Sequence, residues 1–151
     1  MTMIKRLLEL ANKLAEDGAH SLTLKRRAVS TAYYAVFHAL AKLCADEMLE
    51  DRRSSEYERI YRALDHGTLK TAFNSQPLSQ IPEIKTIGNR AVMLRSERNR
   101  SDYLPSQHLY TKTQCLDLVR SARIAVAALG RWSDEHRRTL AVHLLSKNRS
   151  S

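Results

Sequence analysis

Residues 26–43 read RRAVSTAYYAVFHALAKL. Within them Ala28, Ala32, Ala35, Val36, Ala39, Leu40 and Leu43 recur at three- and four-residue intervals, the period that lines one face of an α-helix. The stretch contains neither glycine nor proline, and Ser21 stands ahead of it as an N-cap, so one long helix is predicted from about residue 21 to residue 49. Small side chains allow neighbouring backbones to approach closely. The alanine seam therefore puts this helix at the centre of a bundle.

The flanking sequence supplies the rest of that bundle. Upstream, Ile4, Leu7, Leu8, Ala11, Leu14 and Ala15 give one apolar stripe on a helix that ends near Gly18. Downstream, a third helix starts after Ser54 or Ser55 and carries Tyr57, Ile60, Tyr61 and Leu64, with Gly67 interrupting or bending it before Leu69, Ala72 and Phe73. Residues 74–82, with two of the three prolines, read as a surface loop. A fourth helix, about Glu83 to Arg100, turns Ile84, Ile87, Ala91 and Leu94 inward and ends before Pro105. A fifth, from about Thr111, uses Cys115, Leu118, Val119, Ala122, Val126 and Leu129. Beyond Gly130 lies a basic tail with Arg131, Arg137, Arg138, Lys147 and Arg149, in which Leu140, Leu144 and Leu145 fold on the bundle or on a partner. The expected architecture is all-α, an up-and-down bundle of four to five helices over residues 1–130 with a basic C-terminal helical extension, 131–151.

Composition narrows the class. A chain of 151 residues is the size of one domain and can bury a core without staples. Four glycines and three prolines in the whole chain favour helix. Cys44 and Cys115 each fall at an apolar helical position, which fits buried free thiols better than a disulfide or a metal site. No apolar run approaches the ~20 residues that span a bilayer, and Met1 to Arg6 lead into an amphipathic stretch rather than a signal peptide. A cytoplasmic protein with no membrane partner is expected. Histidines and acids do not cluster at ligand spacing, so neither a metal nor another cofactor is expected. The formal charge of +9 makes an anionic partner plausible, nucleic acid ahead of a membrane surface; the competing reading is a solvated basic surface that only aids solubility.

The segment from Arg26 to Leu40, with Ser30, Tyr33, Tyr34, Phe37 and His38, resembles the SRAYYAxFHA helix of HEPN-domain proteins, especially a group of small prokaryotic members. Arg98-Asn99-Arg100-Ser101-Asp102-Tyr103 is similar to the RNxADY segment that ends a later helix in the same group. The two segments stand in the family's order, and with the helices between them the resemblance covers roughly residues 20–130. It implies a helical bundle, a homodimer in which the motif-bearing helix ends face each other across one groove, and action on RNA or nucleotide.

In the active HEPN members an arginine is followed by a histidine in the pattern R-x4-6-H. Here, with four residues between it and Arg98, Tyr103 stands where the histidine is expected, and tyrosine is a poor base at neutral pH. Arg98 could still stabilise phosphate charge and Tyr103 donate a hydrogen bond. Two histidines are candidates for the missing group. His66 follows Arg59 with six residues between, and Arg59, Arg62 and His66 would share one side of a helix; the bland alternative is a surface salt-bridge row with Glu58 and Asp65. His108 lies in the loop before the last helix. By the resemblance, Arg95, Arg98 and Arg100 line the groove, Asn99 and Tyr103 contact base or ribose, and Asp102, four residues after Arg98, orients its guanidinium. Tyr34 and His38, four apart, share a face as supporting residues, although packing alone is the competing account for these aromatics.

Three functions follow. The first is a ribonuclease toxin or defence effector, a metal-independent endoribonuclease checked by a partner such as a nucleotidyltransferase-type antitoxin. The second is a catalytically silent module that binds nucleotide or RNA. The third is a helical adaptor that docks a partner protein through Trp132 and the basic tail.

Overall fold

The computed structural model describes residues 2–18, 21–103 and 110–146, and among them there is no strand. Seven helices follow in order: α1 (Thr2–Asp17), α2 (Leu22–Met48), α3 (Ser55–Ala63), α4 (Leu69–Phe73), α5 (Pro82–Tyr103), α6 (Lys112–Arg131) and α7 (Asp134–Leu145). None is long and apolar enough to cross a membrane.

Helix α2 is the axis, packing against α1, α3, α5, α6 and α7. Ala28, Ala32, Ala35 and Leu40 are fully buried along it, as the alanine seam requires. The helix starts where Ser21 accepts a hydrogen bond from the Leu24 N–H. The other starts are built the same way: Ser54 caps α3, Ser133 caps α7, and Thr111 and Gln114 form a reciprocal capping box on α6. Ile84, Ile87, Ala91 and Leu94 face the core, as their spacing predicts. Leu140, Ala141 and Leu144 of α7 join that same core, and Arg137 donates to the Leu129 carbonyl at the end of α6. Lys147 and Arg149 lie outside the described residues.

Two expectations are corrected. The third segment is interrupted before Leu69, but the break comes ahead of Gly67 and not at it. Helix α3 stops at Ala63 because Leu64 and Asp65 are extended; Leu64 turns into the core and Asp65 accepts from the Gly67 N–H, nucleating a 3-10 turn over His66–Thr68 before α4. Residues 74–82 are not only surface loop, since a second 3-10 turn at Leu78–Gln80 buries Leu78 completely.

Helix α4 lies against α5 through one tight contact. A Cβ built at Gly88 would come within 2.4 Å of Phe73 Cδ1 and 2.7 Å of its Cγ, so the absence of a side chain on α5 forms the notch that takes the Phe73 ring. Gly88→Ala is expected to cost roughly 1–3 kcal/mol through overpacking, outweighing the ~1 kcal/mol that alanine adds in helix propensity. Thermal melting should therefore drop by several degrees. Gly130→Ala, whose new methyl meets nothing within 4 Å, should leave melting unchanged or raise it. Equal melting of the two variants would show that Phe73 shifts without cost.

Candidate functional site

The two segments singled out in the sequence meet in space. Helix α2 presents Ser30, Tyr33 and Tyr34 to the last turns of α5. The Ser30 hydroxyl donates to the Asp102 carboxylate, and Arg26 Nη1 donates to the Ser101 carbonyl at 3.0 Å. Between these contacts lies Arg98, only 8% exposed. Its guanidinium carbon is 5.2 Å from the centre of the Tyr33 ring, 5.7 Å from Tyr34 and 5.9 Å from Tyr103. Nη1 reaches the Tyr103 hydroxyl at 3.4 Å, while Nε is buried with no hydrogen-bond partner. No carboxylate among the described residues lies within ion-pairing distance of it.

That arrangement is unusual for a buried cation. Removing a guanidinium from water costs several kcal/mol unless charge or hydrogen bonds replace the lost solvation. Three ring faces return part of it, about 0.5–2 kcal/mol each. No carboxylate among the described residues makes up the remainder.

His66 completes the cluster. Because the chain leaves α3 at Leu64, the His66 ring turns toward α2, stacks on Phe37 with centroids 3.7 Å apart, and places Nδ1 2.6 Å from the Tyr33 hydroxyl. Burial lowers its pKa from the ordinary histidine value, and the positive charges of Arg98 and Arg95 push in the same direction against Asp65. Tyr33 is pushed up to about 12, mainly by burial, so it stays protonated. In the tautomer whose Nδ1–H donates to the Tyr33 oxygen, Nε2 keeps a free lone pair; no partner for Nε2 occurs among the described residues. His38, one turn along α2 from Tyr34, pairs Nδ1 with the Tyr61 hydroxyl at 2.6 Å, and burial lowers its pKa as well.

Several sequence expectations move. Asp102 does not orient Arg98; its partner is Ser30, across the helix pair. Arg59, Arg62 and His66 do not share a helix side, since α3 ends three residues before His66; Arg62 pairs with Glu58 at 2.7 Å on the exposed surface, and Arg59 is exposed near it, away from the cluster. Arg100 reaches back to Glu97 at 3.2 Å on the outside of α5. Arg95 and Asn99 line a shallow groove with Lys70 on the outer face of α5, and the Arg95 charge is felt at both Tyr33 and His66. Tyr103 is 70% exposed at the end of α5 and covers Arg98. His108 lies outside the described residues. Among the described residues no three His, Cys, Asp or Glu side chains are placed to hold one metal ion. Cys44 and Cys115 are buried free thiols, held protonated by burial.

What the residue pattern did not show is that Tyr33 and Phe37, readable as packing residues, are the platform that fixes His66. Nor did it show the brace below Ser101, whose hydroxyl meets Tyr110 Oη at 3.1 Å while Tyr110 donates to Glu97. Each joins residues far apart in sequence or on different elements, which helical periodicity cannot pair.

No family model, curated protein or solved structure matches the chain.

A partly buried histidine held neutral has a consequence for stability. Below the ordinary histidine value the unfolded chain takes up protons that His66 and His38 in the folded chain resist. Stability is thus fully present above about pH 6.5 and falls as the pH drops through that value toward the lower folded-state pKa values. Melting followed from pH 8 to pH 5 should show this acid-side loss, and His66→Gln should reduce it. An identical pH dependence in wild type and variant would remove His66 from the account.

Proposed function

We propose that this chain is a HEPN-type endoribonuclease in which Arg98 receives a phosphodiester and His66 moves the proton, with no metal in the step. The observation that carries the proposal is the placing of a buried guanidinium without a counter-carboxylate beside a neutral histidine. The +9 formal charge agrees with a polyanionic substrate. The resemblance of the Arg26–Leu40 and Arg98–Tyr103 segments to HEPN proteins supports the same reading, and the two segments lie side by side.

His66 Nε2 takes the proton from a ribose 2'-hydroxyl; that oxygen attacks its own phosphorus; the bond from phosphorus to the 5'-oxygen breaks, and the leaving oxygen takes a proton from the solvent or from the Tyr103 hydroxyl, which solvent reprotonates, while His66 gives its proton back to the solvent. A cyclic phosphate and a 5'-hydroxyl end result. Arg98 faces the charge that builds on the non-bridging oxygens. Tyr33 holds the histidine in one tautomer, and Phe37 holds the plane of the ring. The substrate must displace Tyr103 from Arg98, so this exposed ring is also the surface on which a base or a second copy of the chain would lie. In this reading the chain works as a homodimer with the two α5 ends sharing a groove.

Purified protein should cut single-stranded RNA in the presence of a chelator. His66→Ala should lower the rate by about a hundredfold or more, the scale of a lost general base, and Arg98→Ala by a comparable factor, both retaining the helical circular-dichroism spectrum. The rate should be full at neutral pH and lost only below the ordinary histidine range, because the base has to be deprotonated and its pKa lies lower than usual. Salt-dependent RNA binding without cleavage would replace this reading by that of a silent binding module. Cleavage undiminished by His66→Ala would end the proposed chemistry.

A further inference from the structure

A second concave site lies apart from Arg98 and shares no residue with it. It is a cleft of about 390 Å³ where α1, α2, α6 and α7 come together. Its floor is apolar, with Ile4, Leu43 and Leu129 buried at its base and Leu8 and Val126 beside them. The space exists because small residues stand where larger ones would close it. Ala39, Ala127 and Gly130 line the walls, and a Cβ at Gly130 would meet no atom within 4 Å.

The rim is charged, and unevenly. Lys42 is bound to Asp46 at 2.6 Å, and Asp46 also takes Arg52 and the Tyr57 hydroxyl. Arg137 is engaged by a carbonyl, which leaves its positive charge unneutralised. Lys5 on α1 and Arg123 on α6 have neither a hydrogen bond nor an ion pair among the described residues, and Glu47 is the one opposing carboxylate left open. Positive charge therefore dominates the mouth of an apolar cleft.

We propose that this cleft binds a single-chain amphiphile with an anionic head group, its methylene tail on the Ile4–Leu43–Leu129 floor and its head at Lys5 and Arg123. Dimensions favour an extended chain over a protein helix. The floor runs along α2 from Ala39 to Glu47, about 12 Å at 1.5 Å per residue. A helix of that length, little more than two turns, is marginal on its own in water, whereas an extended methylene chain needs no fold to enter a cleft of about 390 Å³. That volume lies within the range of small-molecule sites.

Sodium decanoate titrated into the intact chain by calorimetry is the test, with fluorescence of Trp132, two residues beyond Gly130, as a second readout. Decanoate should bind saturably, one per chain, and decyltrimethylammonium, which has the same tail length and a cationic head, at least tenfold more weakly. Arg123→Glu should weaken decanoate at least tenfold, and Ala127→Leu, which puts a side chain into the channel from an exposed position on α6, should abolish binding. Both variants should keep the wild-type melting temperature. Absence of saturable decanoate binding to the wild type, equal binding of the two amphiphiles, or undiminished binding by Ala127→Leu would each overturn the proposal. So would capture of an acidic helical peptide in place of decanoate.

Discussion

A guanidinium enclosed by tyrosines and left without a carboxylate is the constraint around which this bundle is arranged. Arg98 could have been neutralised by Asp102 one turn away; instead Ser30 engages that carboxylate from the neighbouring helix. The same contact fastens the end of α5 to α2, helped by Arg26 on the Ser101 carbonyl. One set of hydrogen bonds thus closes the helix pair and withholds the nearest anion from the arginine. Burial without neutralisation is costly for folding, and a protein holding such a group depends on the rest of its core for the difference. The fully buried run along α2 is where that reserve lies.

Periodicity is a local signal, and it served wherever structure is local. The alanine seam gave α2 its central position, Ser21 its start, and the spacing of Ile84 to Leu94 the inner face of α5. The spacing of Leu140 and Leu144 likewise anticipated an apolar face on α7. It failed where a helix ends for tertiary reasons. Nothing in the pattern around Ala63 requires a stop; the break comes from Leu64 turning into the core and from the Asp65 side chain competing for a backbone N–H.

The candidate site divides along the same line. Arg98 and Tyr103 were readable from their segment, and so was His66 as a residue worth testing, although for a reason the geometry does not support. Spacing paired His66 with Arg59 along one helix, whereas the fold sets it within the electrostatic reach of an arginine thirty-two positions away. Asp102 was misread because a four-residue interval suggests an intrahelical partner, and a competing hydroxyl from another helix leaves no trace in spacing.

The notch at Gly88 deserves a last consideration for what it does to mobility. The Phe73 ring seated in it joins the short α4, and with it the turn that carries His66, to the same helix that carries Arg98. Arg98 and His66 are thereby mounted on a common frame. Their separation is set by an interlocked core contact and not by the conformation of a surface loop.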